Sequence, residues 1–176
     1  SQYDIYRLKY SSNHEIKPSY TQKRDFDFQF VGSNYKSEWT KHCDKKYNSF
    51  VRITPPVINE VERINSYRKS EINLVFHSEA NIKKGIIVER FAEAISLGGI
   101  IFHDHPKINQ LFPHVDSFFY IKSIGDIDKN YKHITGMQVD EITALRKASR
   151  ECWEISNLSY QKQASSILKK LGALSE

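Results

Sequence analysis

Phe26-Asp27-Phe28-Gln29-Phe30-Val31 alternates apolar and polar residues and stops at Gly32-Ser33, which predicts a strand running into a turn. Residues 36–47 then take helical spacing, 49–54 give a second short strand, and Pro55-Pro56 end it. An amphipathic helix is predicted over 59–69 and a buried strand over the apolar run 72–76. From Gly85 to Ser96 only Glu89, Arg90, Glu93 and Ser96 are polar, and at about 100° per residue they share one narrow arc. Ile87, Val88, Phe91, Ala92, Ala94 and Ile95 cover the rest, so this is a mostly buried helix with a polar edge, entered at Gly85 and left through Gly98-Gly99.

Strands come next over 100–102 and 118–121, and 138–171 reads as helix with a break near Asn157-Leu158-Ser159. Strands alternating with helices predict an α/β domain with a mostly parallel sheet covered on both faces. Residues 1–24 read as a linker or extended lead-in, 25–135 as the sheet domain, and 136–176 as C-terminal helices that pack on it or on another lobe.

Composition narrows the class without naming a chemistry. With 39% apolar residues, 12% aromatics, seven glycines and five prolines in 176 residues, the chain can bury one principal core and is neither disordered nor fibrous. Its two cysteines, Cys43 and Cys152, lie far apart, against a disulfide framework or a thiolate zinc site and in favour of a reducing, cytoplasmic setting. No stretch approaches the roughly 20 apolar residues of a membrane span. A formal charge of +5 is a modest pointer to a phosphorylated or polyanionic partner.

In parallel sheets ligands bind beyond the carboxyl ends of strands, where helix N-termini offer free N–H groups to anions. Gly32 and Ser33 come after the first strand, His77 to Glu79 after the third, and 81–85 lead toward the polar-edged helix. One crevice would gather them.

Phe30-Val31-Gly32-Ser33 with a basic residue after it, then Arg90-Phe91-Ala92-Glu93, a small-residue turn and Ile100-Ile101-Phe102-His103-Asp104, resemble the C-terminal nucleotide-sugar domain of GT-B glycosyltransferases. The bacteriophage DNA glucosyltransferases and the group 1 glycosyltransferases are the nearest branches, over about residues 20–125. The resemblance implies a Rossmann-like fold forming half of a GT-B architecture, and a UDP-type nucleotide sugar as donor substrate. Glu93 would accept from the ribose hydroxyls, Arg90 would meet the diphosphate or support Glu93, and Gly32, Ser33 and Lys36 would approach phosphate. Gly85 at the helix entrance, reinforced by Lys83 and Lys84, would face the diphosphate, and His77 a phosphate or sugar. The acidic residue that many group 1 enzymes place eight positions before the Glu93 equivalent is replaced here by Gly85.

The same resemblance places the acceptor site and catalytic base in an N-terminal lobe or partner subunit, so no catalytic residue is assigned in this chain. The acceptor would be a hydroxyl, for example on a modified base of phage DNA within the host cytoplasm, or on a polysaccharide or protein. The pattern calls for no divalent metal; His103-Asp104-His105 offers two imidazoles on one side but no third ligand at a recognisable spacing, and Pro106 ends the segment at once. Plainer readings exist for each group: an intrahelical charge cluster for Glu89, Arg90 and Glu93, an ordinary turn for Gly32-Ser33, and a solvated face for Lys41, Lys45 and Lys46, which with Trp39 and Tyr47 would otherwise contact DNA. A non-catalytic nucleotide-binding or interaction module is the rival of a different class.

Overall fold

The computed structural model describes residues 20, 24–32, 37–53 and 60–156. Ser33, Lys36, most of the lead-in and the helix expected beyond 156 lie outside the described residues. The elements are β1 (Phe26–Gly32), α1 (Ser37–Lys46), β2 (Ser49–Ile53), α2 (Glu60–Lys69), β3 (Ser70–Val75), α3 (Glu79–Lys84), α4 (Glu89–Ser96), β4 (Ile100–His103), α5 (Pro106–Leu111), β5 (Phe118–Tyr120), α6 (Ile124–Thr135) and α7 (Val139–Ile155).

All five strands are parallel, in the order β2-β1-β3-β4-β5. The fold is therefore α/β, doubly wound and Rossmann-like. The chain first steps outward from β1 to β2, then crosses back over β1 to β3 and continues one way to β5. Its direction reverses once, and the switch point lies between β1 and β3.

Strand alternation divides the core into two layers. Phe28, Phe30, Ile72, Leu74, Phe76, Ile100 and Phe102 pack with Trp39 and Cys43 of α1 and with Ile127 and Ile134 of α6. Val75, Ile101 and Phe118 face the other way, against Tyr67 of α2, Phe91, Ala94 and Ile95 of α4, and Ile108 of α5. Burial on both faces explains why β3 and β4 read as continuous apolar runs.

Three helices depart from the expected pattern. The segment leading to the polar-edged helix is itself helical: Ser78 caps α3, whose chain ends at Gly85 in the left-handed region at φ 66°. Gly85 is thus the C-cap of α3 and not the entrance of α4, which begins after an extended turn at Val88. Pro106, which in the sequence reads as a stop, starts α5 from its first turn, where a missing N–H costs nothing. The third is α6, closed at its start by a reciprocal Ser123–Asp126 capping box.

The helix expected from 138 is α7, and it packs on this domain. It crosses the amino edge of the sheet: Arg146 pairs with Glu71 at the start of β3 (2.6 Å) and donates to the Tyr20 carbonyl (2.7 Å). Ser149 donates to the Gly99 carbonyl before β4 and contacts Ser117 before β5, while Arg150 donates to the Ser96 carbonyl. Ile142 and Leu145 touch one core layer, Cys152 and Trp153 the other.

Arg146 is 4% exposed, so removing its guanidinium strands a largely buried carboxylate. Arg146→Ala is expected to cost about 3 kcal/mol in urea unfolding at neutral pH. A loss below about 1 kcal/mol would mean that this pair does not anchor α7.

Candidate functional site

At the carboxyl ends of β1 and β3 the side chain of Arg90 spans the switch point. Its Nη1 donates to the Val31 carbonyl at 2.7 Å and its Nη2 to the Phe76 carbonyl at 3.3 Å. The guanidinium also lies 5.3 Å from the centre of the Phe30 ring. Val31 is the penultimate residue of β1, and Phe76 the first residue past β3. Charge-assisted bonds of this kind are worth about 1.5–3 kcal/mol each.

This contact gives Gly32 a reason independent of any ligand. A methyl group at position 32 would overlap Arg90 Nη1. The Gly98-Gly99 turn is equally constrained: Gly98 has φ 69°, and a methyl group on Gly99 would come within 2.8 Å of the Ala94 carbonyl oxygen.

Glu93, one turn along α4, reaches toward α2. Its Oε1 pairs with Arg63 Nη1, both side chains being nearly buried. Its Oε2 and the Tyr67 hydroxyl are buried without a hydrogen-bond partner. Burial pushes the Glu93 carboxyl up and Arg63 pulls it back, while Tyr67 is pushed well up first by burial and then by Glu93. Arg90 and Glu93 therefore turn to partners on other elements, and the expected intrahelical cluster does not describe them. Arg63 and Tyr67 escape the sequence reading because nothing local ties α2 to α4.

His103 ends β4, whereas His77, expected at the end of the neighbouring strand, lies two residues past the end of β3. The His77 ring is fully buried with both nitrogens engaged: Nδ1 lies 2.8 Å from Asp104 Oδ1, and Nε2 accepts from the Val88 N–H at 3.2 Å. In this arrangement it offers no nitrogen to a phosphate or sugar. His105 packs its ring at 4.7 Å from that of His77 and caps α5 by accepting from the Lys107 N–H. His103 stacks on Tyr120, and both of its ring nitrogens are buried without partners. Burial, then the neighbouring His77, lower the His103 pKa to about 4. No group of three or more His, Cys, Asp or Glu among the described residues is placed to hold a metal ion.

Gly85 closes α3, and its carbonyl accepts from Lys107 Nζ at 3.0 Å. Lys83 and Lys84 occupy the last turn of α3, where cations suit the negative helix end. Ser33 and Lys36 lie outside the described residues. The structure thus brings Gly32 and Arg90 together at the switch point, turns Glu93 to Arg63 of α2, ties His77 to the start of α4, and leaves Gly85 at the end of α3.

The two aromatics that the alternative of DNA contact would use are engaged by the core instead. Trp39 is buried edge-on against Phe76, and Tyr47 packs on Phe28 and Tyr131 while donating to Asp128. The described residues hold 18 of the chain's 26 Lys and Arg and 18 of its 21 Asp and Glu, so the +5 charge belongs to the remaining residues. No helix of the described part is long and apolar enough to cross a membrane. No family model and no curated protein matches the chain.

Two outcomes check these assignments. If Gly32 is required by Arg90, Gly32→Ala should destabilise by about 1–3 kcal/mol in wild type and by far less in an Arg90→Ala background; equal costs in both would sink the explanation. For His103, the unfolded ring takes its proton near pH 6.5 and the folded ring only near 4, so its contribution is full above about pH 6.5 and is lost as pH falls toward 4. His103→Phe should remove roughly 3 kcal/mol of that acid-side decline, read from urea midpoints at neutral and acid pH. A parallel decline in variant and wild type would refute it.

Proposed function

We propose that this chain is the donor-binding half of a glycosyltransferase, holding a UDP-type nucleotide sugar at the carboxyl edge of β1 and β3. The observation that carries the reading is Arg90: a guanidinium from the first turn of α4, set across the switch point of a doubly wound sheet. That is where such sheets take their ligands. The N–H groups of Arg90 not used by the two carbonyls are suited to a diphosphate. The α4 N-terminus adds a favourable field for the same charge. Glu93 would accept from a ribose hydroxyl by turning out of its buried contact with Arg63. Gly32 makes room for the Arg90 guanidinium beside the β1 backbone, and Ser33 and Lys36 follow it in the sequence.

In the reaction an acceptor hydroxyl attacks the anomeric carbon, the bond from that carbon to UDP breaks, and UDP leaves. Arg90 stabilises the negative charge growing on the diphosphate. The acceptor and the base that takes its proton belong to a second lobe or subunit. A modified base in phage DNA is one acceptor of suitable chemistry, a polysaccharide or protein hydroxyl another. The carbonyl contacts of Arg90 equally suit a nucleotide-binding or interaction module without turnover.

Calorimetric titration of the chain with UDP, beside ADP and GDP, tests the donor reading. Saturable UDP binding weakened at least about tenfold in Glu93→Ala and Arg90→Ala is the expected result. A folded chain that takes up none of the three would count against it.

A further inference from the structure

His77 closes a chain of hydrogen bonds that runs from the end of β4 to the first turn of α4. Asp104 accepts from the His77 backbone N–H at 3.0 Å and lies 2.8 Å from the ring Nδ1. On the far side of the ring, Nε2 accepts from the backbone N–H of Val88. Val88 is the N-cap of α4, and it has no side chain with which to cap the helix. The buried ring supplies the tie that this end of α4 lacks. Two residues further on, Arg90 reaches the switch point.

The partners fix the protonation of the ring. Val88 N–H can only donate, so Nε2 must carry a lone pair and the single proton must sit on Nδ1, donated to Asp104. A second proton on Nε2 would set N–H against N–H and break the tie. We propose that His77 is a positioning residue, holding the first turn of α4, and with it Arg90, over the switch point only while its ring carries one proton. Ligand affinity at the switch point then falls on acidification.

The surrounding charges act in both directions. From the β4 side, Asp104 favours the doubly protonated ring, while His103 and His105 oppose it when charged, as does Lys107 beside His105. From α4, Arg90 sits on the Phe76 carbonyl next to His77, and Glu89 carries the opposite charge in the same turn. The burial of His103 and His105 lowers their own pKa, which favours the neutral form of both.

The test uses the full chain and needs no ligand for its first arm. Nitrogen-15 NMR of the imidazoles and amide protection of Val88 and Phe91 are measured between about pH 5 and 8. The expected result is a neutral His77 ring protonated on Nδ1, with Val88 protection dropping at least about tenfold more than that of β3 and β4 amides as the ring takes its second proton. His77→Gln, which places a neutral oxygen acceptor near Nε2, should remove that step. A neutral ring protonated on Nε2, a Val88 protection level across the range, or the same step in His77→Gln overturns the proposal. The tautomer measurement needs no variant, so it decides even if His77→Gln does not fold. A second arm measures UDP affinity over the same range and rests on the donor-site reading: a fall of about tenfold in wild type and none in His77→Gln supports both. Absence of UDP binding at every pH counts against the donor reading alone, because the first arm judges His77 by itself.

Discussion

The two strands between which the sheet changes direction are joined, at their open ends, by one guanidinium. A parallel sheet that reverses its winding leaves a gap at the carboxyl edge, because the chain leaves the two central strands toward opposite faces. Arg90 occupies that gap and uses the carbonyls of Val31 and Phe76 as its anchor. Around it, Gly32 gives up its side chain, Phe30 offers a ring face, and α4 is held at the start by His77 and at the end by the Gly98-Gly99 turn. Glu93 and Arg63 then close the side facing α2.

Much of this is legible in the sequence because the strong signals are local. The period-2 run in β1, the apolar run in β3 and the polar arc on α4 each reflect one element's own burial, and each is found where the spacing puts it. Features that depend on context stay hidden. α6 has its apolar residues at Ile124, Ile127, Tyr131 and Ile134, a helical spacing diluted by the intervening charges; Ser123 with Asp126 three residues later is the signal that could have found it. Pro106 misleads because proline punctuates both ends of a helix, and only the helical spacing of the residues after it tells a start from a stop. Polarity likewise hides burial at Gln29 and Asn73, both enclosed in central strands, Gln29 donating to Ser66 of α2.

For the candidate site the division is the same. Sequence spacing puts Arg90 and Glu93 on one side of a helix beside a glycine turn. It cannot supply the partners of either, since Val31, Phe76 and Arg63 come from elements distant in sequence. The charge balance shows the converse. A net positive chain suggests a polyanion-binding surface, but the described part is formally neutral, and the excess charge lies on the residues outside it.

The lay of α7 across the amino edge bears on how the domain comes to be made. Its hydrogen bonds reach back from Arg146 to Tyr20 and Glu71, and from Ser149 to Gly99, spanning much of the chain. Contacts of such sequence separation are late and slow to form. During synthesis the strands can pair and α4 can settle while Glu71 and the Gly99 carbonyl remain exposed to water, and the sheet closes only when residues near 150 have left the ribosome. The helix that ties the amino edge is thus made after every strand it ties.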